Sequence, residues 1–396
     1  MNIGIVGCGY VSDFYAKNSR SYSNLRIKGA FDLNQENLNR FCQHYAVTPH
    51  QTLESLLDDQ SIQLILNLSN PRSHYAVSKT CLDAGKHVYT EKPMAMDISQ
   101  AKDLLHYAYE KGLRIGCAPC NLLGNTAQTV WKAVKEGQIG KVRLIYANYD
   151  DGMIAPHMRP WEWRNEFGVP WPAKDEFEVG CTYEHAAYFL SCLTTIFGPA
   201  RWVSAFSSCQ ISDKGIVVDS MAPDFSVGCI EYDDGVVARV TCGLVAPQDK
   251  SLLIVGDDGY LFVRYLRNDT EPVFLRRNAI HQNVKRVENL INRIRTRLQN
   301  FEQFIPWPLD EFQIYEKVPF ALPQSTIRAT SGKRVDFMLG PHDMANAILE
   351  GRPHRLSGEF GIHLLEQIEA LQHPERFNYR RKIETTFLPI EPLQWI

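Results

Sequence analysis

The sequence lacks the features that would assign the protein to several broad classes. No run of about 18 apolar residues occurs, so no membrane-spanning helix and no membrane partner are expected. The 42 basic and 45 acidic residues give a net charge of −3, which offers no general attraction to nucleic acid. The first ten residues, MNIGIVGCGY, contain no basic leader and predict a strand, so no signal peptide is expected.

Cysteine is present but gives no cross-linked framework. The cysteines are scattered, and Cys117 with Cys120 is the single pair with a metal-like or redox-like spacing. A structural zinc site takes four ligands, so no metal site is predicted from this pair. Because a chain of 396 residues can bury a sizeable core without disulfides, we expect free thiols and a reducing, cytoplasmic compartment.

The first 120 residues alternate short apolar runs with amphipathic stretches. Helices are predicted near 12–20, 34–45, 72–84 and 97–111. Strands are predicted at Asn2–Val6, Arg26–Phe31, Ile62–Leu68, Lys86–Thr90 and Leu113–Ala118. Apolar strands that alternate with helices are typical of an α/β fold with a doubly wound parallel sheet, so residues 1–120 are predicted to form a Rossmann domain.

The pattern changes after residue 120. A helix near 125–137, a strand at 141–149, a Pro- and Trp-rich loop at 152–177 and a helix at 179–197 are predicted first. Strands separated by turns follow at 201–211, 224–233, 235–242, 251–256 and 259–264. An irregular stretch at 265–335 contains a basic helix near 284–299, and a helical region spans about 341–371. Residues 121–396 are therefore predicted to form a second α/β domain with a mostly antiparallel sheet.

A glycine-rich loop joins the first predicted strand to the first predicted helix. Gly7-Cys8-Gly9-Tyr10-Val11-Ser12 has the G-x-G-x-x-G form, with Ser12 in the third glycine position. The first glycine permits a tight turn, the second lets backbone approach a pyrophosphate, and the helix N-terminus faces the anion. Gly7, Gly9, Tyr10 and Val11 are therefore candidate cofactor-binding residues.

An acidic residue follows the second predicted strand. Asp32 stands where the carboxylate of a doubly wound fold can accept both ribose hydroxyls of a dinucleotide. Its charge would repel a 2′-phosphate, so the sequence predicts NAD rather than NADP as the cofactor. The alternative is that Asp32 only caps the next helix.

A Glu-Lys-Pro segment follows the strand predicted at Lys86–Thr90. Lys92 would lie outside the carboxyl ends of the strands, where open α/β sheets bind ligands. A lysine there can donate a hydrogen bond to a substrate oxygen and stabilise a developing alkoxide. The alternative is a solvated lysine at the end of a strand.

The segment AGKHVYTEKP at 84–93 resembles a motif of the glucose–fructose oxidoreductase and inositol dehydrogenase (Gfo/Idh/MocA) family. Ser69-Asn70-Pro71, His74, the glycine loop and GQIGKV at 137–142 are similar to that family as well. The resemblance covers residues 1 to about 150 well. It implies a Rossmann domain followed by an α/β domain whose open sheet carries oligomer contacts.

The resemblance also implies roles for individual residues. Lys92 corresponds to the catalytic lysine of the Glu-Lys-Pro motif, and Glu91 beside it is placed among the cofactor contacts. The strip beside the nicotinamide corresponds to Asn67, Ser69, Asn70 and His74.

The sequence departs from the family at a second motif, which resembles D-x-G-x-H on a helix that ends in Phe-Gly. Counted back from Phe197-Gly198, the Asp position falls on Glu184 and the His position on Tyr188. His185 and Tyr188 are three residues apart and are expected on one helix face, with Glu184 turned about 100° away from His185. The proton acceptor is then Tyr188, if Lys92 lowers its pKa, or His185, whose ordinary pKa is about 6.5.

Candidate contacts to a polyhydroxylated substrate lie in the Pro- and Trp-rich loop at 152–177, called the aromatic loop below. Others lie before the helix predicted near 125–137 and in the helix predicted at 179–197. Trp faces stack on sugar C–H surfaces, and Arg with Glu can bind hydroxyls or a carboxylate. The loop can equally be a packed surface loop or a subunit contact, and Asn121 can equally satisfy the backbone. The candidates are Asn121, Arg159, Trp161, Trp163 and Glu184.

The sequence therefore predicts an NAD-dependent dehydrogenase that transfers a hydride between a nicotinamide cofactor and a hydroxyl-bearing carbon of a sugar, sugar derivative or cyclitol. One alternative is a redox-neutral lyase or epimerase with tightly bound NAD. Another is a non-catalytic protein that senses NAD(H). A homodimer or homotetramer formed through the open sheet is expected.

Overall fold

Two β-sheets and the helices around them make up the fold. The structure is a computed structural model that describes residues 1–278, 282–298, 313–323 and 335–396. Among the described helices, none combines the length and the apolar composition needed to cross a bilayer.

The first sheet is parallel and lies in the N-terminal part of the chain. Its strands are β1 (Asn2–Val6), β2 (Arg26–Phe31), β3 (Thr48–Pro49), β4 (Leu64–Asn67), β5 (His87–Thr90) and β6 (Ile115–Cys117). Their spatial order is β3-β2-β1-β4-β5-β6, and neighbouring strands pair in parallel. The strand order therefore reverses between β1 and β4, which opens a crevice at the carboxyl ends of these strands.

Five helices connect these strands. They are α1 (Ser12–Ser19), α2 (Gln35–Tyr45), α3 (Leu53–Leu57), α4 (His74–Asp83) and α5 (Ile98–Glu110). Asn34 begins α2 by accepting hydrogen bonds from two backbone N–H groups, and Asp97 begins α5 by accepting one, from the Gln100 N–H. Gly85 and Gly112 follow α4 and α5 with positive φ angles of 75° and 66°, the conformation that glycine adopts most easily.

The second sheet is mostly antiparallel. Its strands are β7 (Val142–Asp150), β8 (Trp202–Ser208), β9 (Phe225–Glu231), β10 (Val237–Gly243), β11 (Leu252–Gly256), β12 (Gly259–Val263), β13 (Val273–Arg277), β14 (Glu316–Lys317) and β15 (Arg380–Lys382). Their order is β14-β13-β12-β11-β7-β10-β9-β8-β15, with a parallel pair between β7 and β10. On β10, buried Ala238 and Val240 flank exposed Arg239, so one face packs against helices and the other is open.

The remaining helices cover the inner face of this sheet or lie at its ends. They are α6 (Asn125–Lys135), α7 (Ala173–Val179), α8 (Cys181–His185), α9 (Ala187–Phe197), α10 (Gln282–Leu298), α11 (Leu339–Glu350) and α12 (Gly358–Gln372). The helix predicted at 179–197 forms two segments, α8 and α9, that meet at Ala186. The stretch predicted to be irregular contributes β13 and β14 to the sheet, a correction to the sequence reading.

Helix α12 holds the two sheets together. The Cys117 N–H of β6 donates to the Leu356 carbonyl just before α12, at 3.3 Å. A Cβ on Gly358 would lie 2.7 Å from the Leu105 side chain, so this glycine allows α12 to approach α5 closely. On its other side, Leu371 lies over β9, where a Cβ on Gly228 would meet it at 2.5 Å. The parallel doubly wound sheet and the mostly antiparallel second sheet predicted from the sequence are confirmed.

Candidate active site

A cleft of about 1250 Å³ runs along the carboxyl ends of the strands of the first sheet. Its lining begins at the glycine loop after β1 and reaches α8 and the start of α9 at the far end. The cleft therefore coincides with the crevice at the reversal of strand order, where doubly wound folds bind their ligands.

The glycine loop forms the first wall of the cleft. Gly7 has a φ angle of 98°, and a Cβ there would lie 2.5 Å from the Leu68 carbonyl oxygen, so a larger residue does not fit. A Cβ at Gly9 would meet nothing within 4 Å, which leaves open space beside the start of α1. Tyr10 and Val11 also line the cleft, and the Ser12 hydroxyl donates to the Gly9 carbonyl at 2.7 Å.

Asp32 lines the cleft at the end of β2. Its carboxylate accepts hydrogen bonds from the backbone N–H groups of Cys8, at 2.6 Å, and Asn34, at 2.7 Å. Burial raises the pKa of Asp32, while these two hydrogen bonds act in the opposite direction. The carboxylate is thus fixed between the glycine loop and the start of α2. It stabilises the glycine loop and also faces the cleft, where a ligand could contact it.

A polar strip follows β4. Ser69, Asn70 and His74 line the cleft, whereas Asn67 is fully buried behind them. The Asn67 side chain accepts from the Ser69 hydroxyl at 2.6 Å and donates to the His74 carbonyl at 3.1 Å. His74 in turn lies 2.6 Å from the Pro93 carbonyl, and burial lowers its pKa. Asn67 therefore holds the strip in place instead of facing the cleft.

These walls fit a nicotinamide dinucleotide. The open space at Gly9 leaves room for a pyrophosphate at the N-terminus of α1, because no Cβ fills it. Asp32 stands at the adenosine end, and the strip after β4 leads toward the opposite end of the cleft. Glu91, also in the lining, accepts hydrogen bonds from the Tyr15 hydroxyl, at 2.7 Å, and from the Lys92 N–H, at 3.0 Å.

Lys92 lies after β5 at the far end of the cleft. Its ammonium forms an ion pair with the Glu184 carboxylate of α8, and both side chains are largely buried. Its Nζ is also 6.0 Å from the ring centroid of Tyr188. Burial acts to lower the pKa of Lys92, but Glu184 and the other acidic neighbours outweigh burial and hold the pKa above its usual value. Lys92 is therefore a fixed positive charge in the cleft.

Glu184, His185 and Tyr188 all line the cleft. The expectation that Glu184 points elsewhere is thus wrong. Ala186 has helical φ and ψ angles of −61° and −32°, so the two helical segments are continuous in direction. Residues four apart share a helix face as residues three apart do, and Glu184 and Tyr188 stand four apart.

The ring of Tyr149 from β7 stacks with both candidate proton acceptors. Its centroid lies 4.9 Å from that of His185 and 5.3 Å from that of Tyr188, with interplanar angles of 20° and 17°. The His185 Nε2 is 3.8 Å from an Asp151 oxygen, and Asp151 is also paired with Lys250. Burial lowers the pKa of His185 to about 3, and its Nδ1 is buried without a hydrogen-bond partner among the described residues. His185 is therefore neutral at neutral pH.

The Tyr188 phenol keeps its proton at neutral pH. Burial raises its pKa, and the charges of Arg267 and Lys92, which act to lower it, do not compensate. The expected depression of this pKa by Lys92 is thus not found in the protein without ligands. At neutral pH, Tyr188 can therefore donate a proton. It can accept one only after its phenol has ionised.

The structure adds residues that the sequence analysis missed. Arg267 lies in the stretch read as irregular, and Glu176 lies in α7, at the end of the aromatic loop. Both line the cleft, and Asp151 joins them from the end of β7. No motif marks these positions, because they come from three separate segments that meet only in the folded chain.

The proposed substrate contacts divide into two groups. Trp163 lines the cleft, where its ring lies 5.5 Å from that of Trp171. Asn121 is buried and donates to the Tyr188 backbone carbonyl at 2.7 Å, so it supports α9 from behind. Neither Arg159 nor Trp161 is in the described lining of the cleft.

Arg159 and Trp161 have other neighbours. The Arg159 guanidinium pairs with Glu162 at 2.5 Å, and both side chains are exposed. The Trp161 ring packs over Gly215, where a Cβ would meet it at 2.5 Å. The structure thus brings Trp163 and Glu184 to the cleft and places Asn121, Arg159 and Trp161 away from it.

The hairpin at 164–170 covers the glycine-loop end of the cleft. The Phe167 ring packs against Phe41 and Tyr45 of α2, with centroids 5.7 Å and 6.1 Å away. Glu166 pairs with Lys17 of α1 at 2.7 Å. Through this hairpin, the aromatic loop that follows β7 packs against α1 and α2 of the cofactor-binding wall.

Comparisons with known proteins follow the division between the two sheets. Residues 1–118 match the oxidoreductase family Gfo/Idh/MocA, NAD-binding Rossmann fold, and residues 127–262 match the Gfo/Idh/MocA C-terminal domain. An uncharacterized oxidoreductase of Synechocystis sp. is 27% identical over 171 residues, which are 43% of this chain and 44% of that protein. The scyllo-inositol 2-dehydrogenase (NADP(+)) IolW of Bacillus subtilis is 25% identical over 153 residues, 39% and 40% of the two chains. The matches thus span less than half the length of these curated relatives.

Solved structures match over nearly the whole chain. The WlbA dehydrogenase of Bordetella pertussis, in complex with NADH and UDP-GlcNAcA, has a TM-score of 0.67 at 17% identity and covers 99% of this chain and 98% of its own. This likeness shows the fold. The two family matches together span more than half of the sequence. The chain therefore belongs to the Gfo/Idh/MocA family of oxidoreductases, with an NAD(P)-binding Rossmann fold.

Proposed function

We propose that the protein is an NAD-dependent dehydrogenase acting on a CH–OH group of a sugar, sugar derivative or cyclitol. The observation that carries this proposal is the Lys92–Glu184 ion pair, which lies beside Tyr188 and His185 in a cleft that begins at a glycine loop. Named relatives support the substrate class, since one is a scyllo-inositol dehydrogenase and another a D-xylose dehydrogenase.

Lys92 steadies the reacting oxygen. The Lys92 ammonium is held in place by Glu184 and has N–H donors for a substrate hydroxyl or carbonyl oxygen. Negative charge develops on that oxygen when a hydroxyl loses its proton, or when a carbonyl is reduced. A fixed cation in a largely buried site stabilises this charge more than water does.

Tyr188 or His185 moves the proton. The protonated Tyr188 phenol donates a proton to the oxygen in the reductive direction, and its ionised form accepts the proton in the oxidative direction. His185 is neutral and has a free Nδ1 lone pair or N–H for the same purpose. Asp151 lies 3.8 Å from the other ring nitrogen, and the stacked Tyr149 ring holds the imidazole in place.

Asp32 favours NAD over NADP. Its carboxylate is already oriented by two backbone N–H groups and presents acceptors to ribose hydroxyls, while its charge opposes a 2′-phosphate. The bound nicotinamide supplies the centre that accepts or gives the hydride. The glycine loop and the strip after β4 supply the remaining contacts.

Absorbance at 340 nm tests the proposal. The purified protein is incubated with NAD or NADP and a panel of cyclitols, aldoses and sugar acids, and the reverse reaction with NADH and the corresponding keto compounds. We expect NADH to form with at least one member of the panel and the activity to disappear in Lys92→Met. Turnover that survives in Lys92→Met contradicts the proposed site.

A redox-neutral reaction is the second candidate, and the hairpin at 164–170 favours it. Asn165 lies over the Gly9 and Tyr10 carbonyls, at 3.5 Å from each, so the hairpin covers the wall that would hold the cofactor. A covered cofactor leaves slowly and can be reduced and reoxidised within one turnover. Copurified NAD(H), with substrate conversion but no net change at 340 nm, would identify this reaction.

We also propose that copies of the chain associate through the open face of the second sheet. Leu144 of β7 and Phe206 of β8 are 42% and 52% exposed there, on positions that point away from the covering helices. Light scattering of Phe206→Asp against the unchanged protein measures this directly, and we expect the variant to have the lower mass.

A further inference from the structure

Arg267 forms a second cationic point in the cleft, apart from Lys92. Its guanidinium carbon lies 4.0 Å from the ring centroid of Tyr188, and its Nη1 donates to the Tyr149 hydroxyl at 2.9 Å. Arg267 therefore stands beside the proton-transfer group, on the lining of the same cleft.

The Arg267 guanidinium has no acidic partner. Among the residues that the structure describes, none forms an ion pair with it, and its single hydrogen bond goes to the neutral Tyr149 hydroxyl. Its Nε is buried without a hydrogen-bond partner in the described part of the chain. Arg267 is half-buried on the cleft wall, and a cation with reduced access to water is usually paired with a carboxylate.

The nearby carboxylates are committed elsewhere. Glu184 pairs with Lys92, and Asp151 pairs with Lys250. Burial acts to raise the pKa of Asp151, but the positive charges of Lys250 and Arg267 help to hold it below its usual value, and the direct partner of this carboxylate is Lys250.

Two further acids near Arg267, Glu176 and Asp269, have raised pKa values and form no ion pair with it among the described residues. Burial and the charge of Glu184 hold the pKa of Glu176 well above its usual value, although Lys92 and Arg267 act in the opposite direction. Burial raises the pKa of Asp269 to about 7, and one Asp269 oxygen accepts the Asp336 N–H at 2.8 Å. Arg267 thus lines the cleft beside Tyr188 with a guanidinium that no described carboxylate pairs with directly.

We propose that Arg267 binds a carboxylate of the substrate, so that the protein acts on an acidic sugar such as a hexuronate or an aldonate. This inference rests on the proposed function and narrows its substrate class. A substrate carboxylate would supply the direct ion pair that Arg267 does not form with the described residues, and its planar shape matches the guanidinium. A phosphate dianion would bring two charges into a cleft that already contains the Glu184 and Asp151 carboxylates.

Matched substrate pairs test the inference. The kcat/KM with NAD is compared between glucose and glucuronate, and between galactose and galacturonate. Glucose 6-phosphate, called the phosphate arm, tests whether a phosphate is preferred to a carboxylate. We expect the acids to exceed the neutral sugars by about 10- to 100-fold, the range of a charge-assisted contact. Arg267→Met should abolish this ratio, Arg267→Lys should restore part of it, and Tyr149→Phe should keep it because the cation remains.

Calorimetry separates this inference from the proposed function. Glucuronate is titrated into the protein with NAD bound, and again into Arg267→Met. Arg267-dependent binding without turnover of any sugar would support the carboxylate site and contradict the dehydrogenase proposal.

Results of three kinds overturn the inference. One is turnover of neutral sugars without preference for the acids. Another is an equal loss of activity toward glucose and glucuronate in Arg267→Met, which makes Arg267 a positioning residue for Tyr188. The third is a stronger preference for the phosphate arm, or the absence of any glucuronate binding.

Discussion

Lys92 and Glu184, 92 positions apart in the sequence, form an ion pair across the cleft. The pair joins the carboxyl end of β5 in the first sheet to helix α8 beside the second sheet. Glu184 fixes the ammonium and keeps it charged, while its own charge is neutralised. One contact thus orients the candidate catalytic group and joins two walls of the cleft.

Removal of the Lys92 ammonium should affect turnover and leave cofactor binding nearly unchanged. Lys92→Ala should lower kcat by about two to four powers of ten, the scale of a positioned acid–base or oxyanion group. NADH affinity, measured by fluorescence titration, should change little because the glycine loop provides the pyrophosphate contacts. Lys79→Ala, at an exposed lysine paired with Asp103, is the control and should alter neither quantity. Lost NADH binding with intact turnover would indicate a structural role for Lys92.

Tyr188 and His185 can be distinguished by two single variants. Tyr188→Phe removes one hydroxyl and keeps the ring stacked on Tyr149, so packing is preserved. We expect it to lose most of the turnover, because the phenol beside Lys92 and Arg267 can give or take the proton. His185→Asn should then change KM more than kcat.

The pH profile gives an independent check on this assignment. Burial raises the pKa of Tyr188, so the oxidative reaction should become faster as alkaline pH ionises the phenol. Reduction should show the opposite trend. An oxidative profile that is flat from neutral to alkaline pH, with normal rates in Tyr188→Phe, would transfer the role to His185.

Asp32 should determine the choice between NAD and NADP. Asp32→Ala should weaken NAD binding by about 10- to 100-fold, the range for hydrogen bonds to a charged group, and narrow the preference over NADP. Because Asp32 also accepts two backbone N–H groups, Asp32→Asn is the matched variant and thermal unfolding the control for loop integrity. Equal affinity of the unchanged protein for the two cofactors would contradict the assignment.

His363 should make the fold sensitive to acid. It is fully buried in α12, accepts the Ala200 N–H at 3.0 Å through Nε2, and has its Nδ1 3.0 Å from the Thr385 carbonyl. Burial lowers its pKa to about 4, so the folded state binds this proton less readily than the unfolded state, with its ordinary pKa of about 6.5. Stability should therefore fall as pH drops from about 6.5 to about 4, by at most about 3 kcal/mol.

Urea unfolding at several pH values measures this dependence. His363→Gln should be less stable at pH 7, since a buried hydrogen bond is lost or distorted, but its stability should change less between pH 7 and pH 4. An unchanged slope in the variant would show that other groups control the acid response.

Phe167 should control cofactor release. Phe167→Ala removes the ring that packs on Phe41 and Tyr45, so the hairpin at 164–170 is held less firmly over the glycine loop. Stopped-flow measurement of NADH dissociation should show a faster rate in the variant. Met153→Ala, at an exposed residue before the hairpin, is the control. An unchanged rate would exclude a retaining role for the hairpin.

The sequence was informative where function depends on local chemistry. The glycine loop, Asp32 and Lys92 follow strands whose apolar runs are continuous, and all of them line the cleft. Strands β1 and β2 end at the residues predicted from the sequence. The glycine turn follows β1 directly, and Asp32 follows β2 directly. Local pattern therefore sufficed for the cofactor-binding wall.

The sequence was less informative where function depends on distant segments. Arg267, Asp151 and Glu176 reach the cleft from a connection, the end of a strand and a short helix, and no spacing relates them. The burial that raises the pKa of Tyr188 likewise comes from the whole fold, so the expected effect of the Lys92 charge did not give the direction of the net shift. Asn121 shows the same limit, because its partner carbonyl belongs to α9.

The closeness of α12 to β6 makes the N-terminal sheet depend on a segment far along the chain. The edge of this sheet is closed by the Leu356 carbonyl and by the bridge between Gly116 and Ser357, about 240 positions after β6. A chain shortened before this segment would leave β6 without these backbone partners and Leu105 of α5 without its packing against Gly358. Truncation at the boundary between the two family matches would therefore expose an edge of the cofactor-binding sheet.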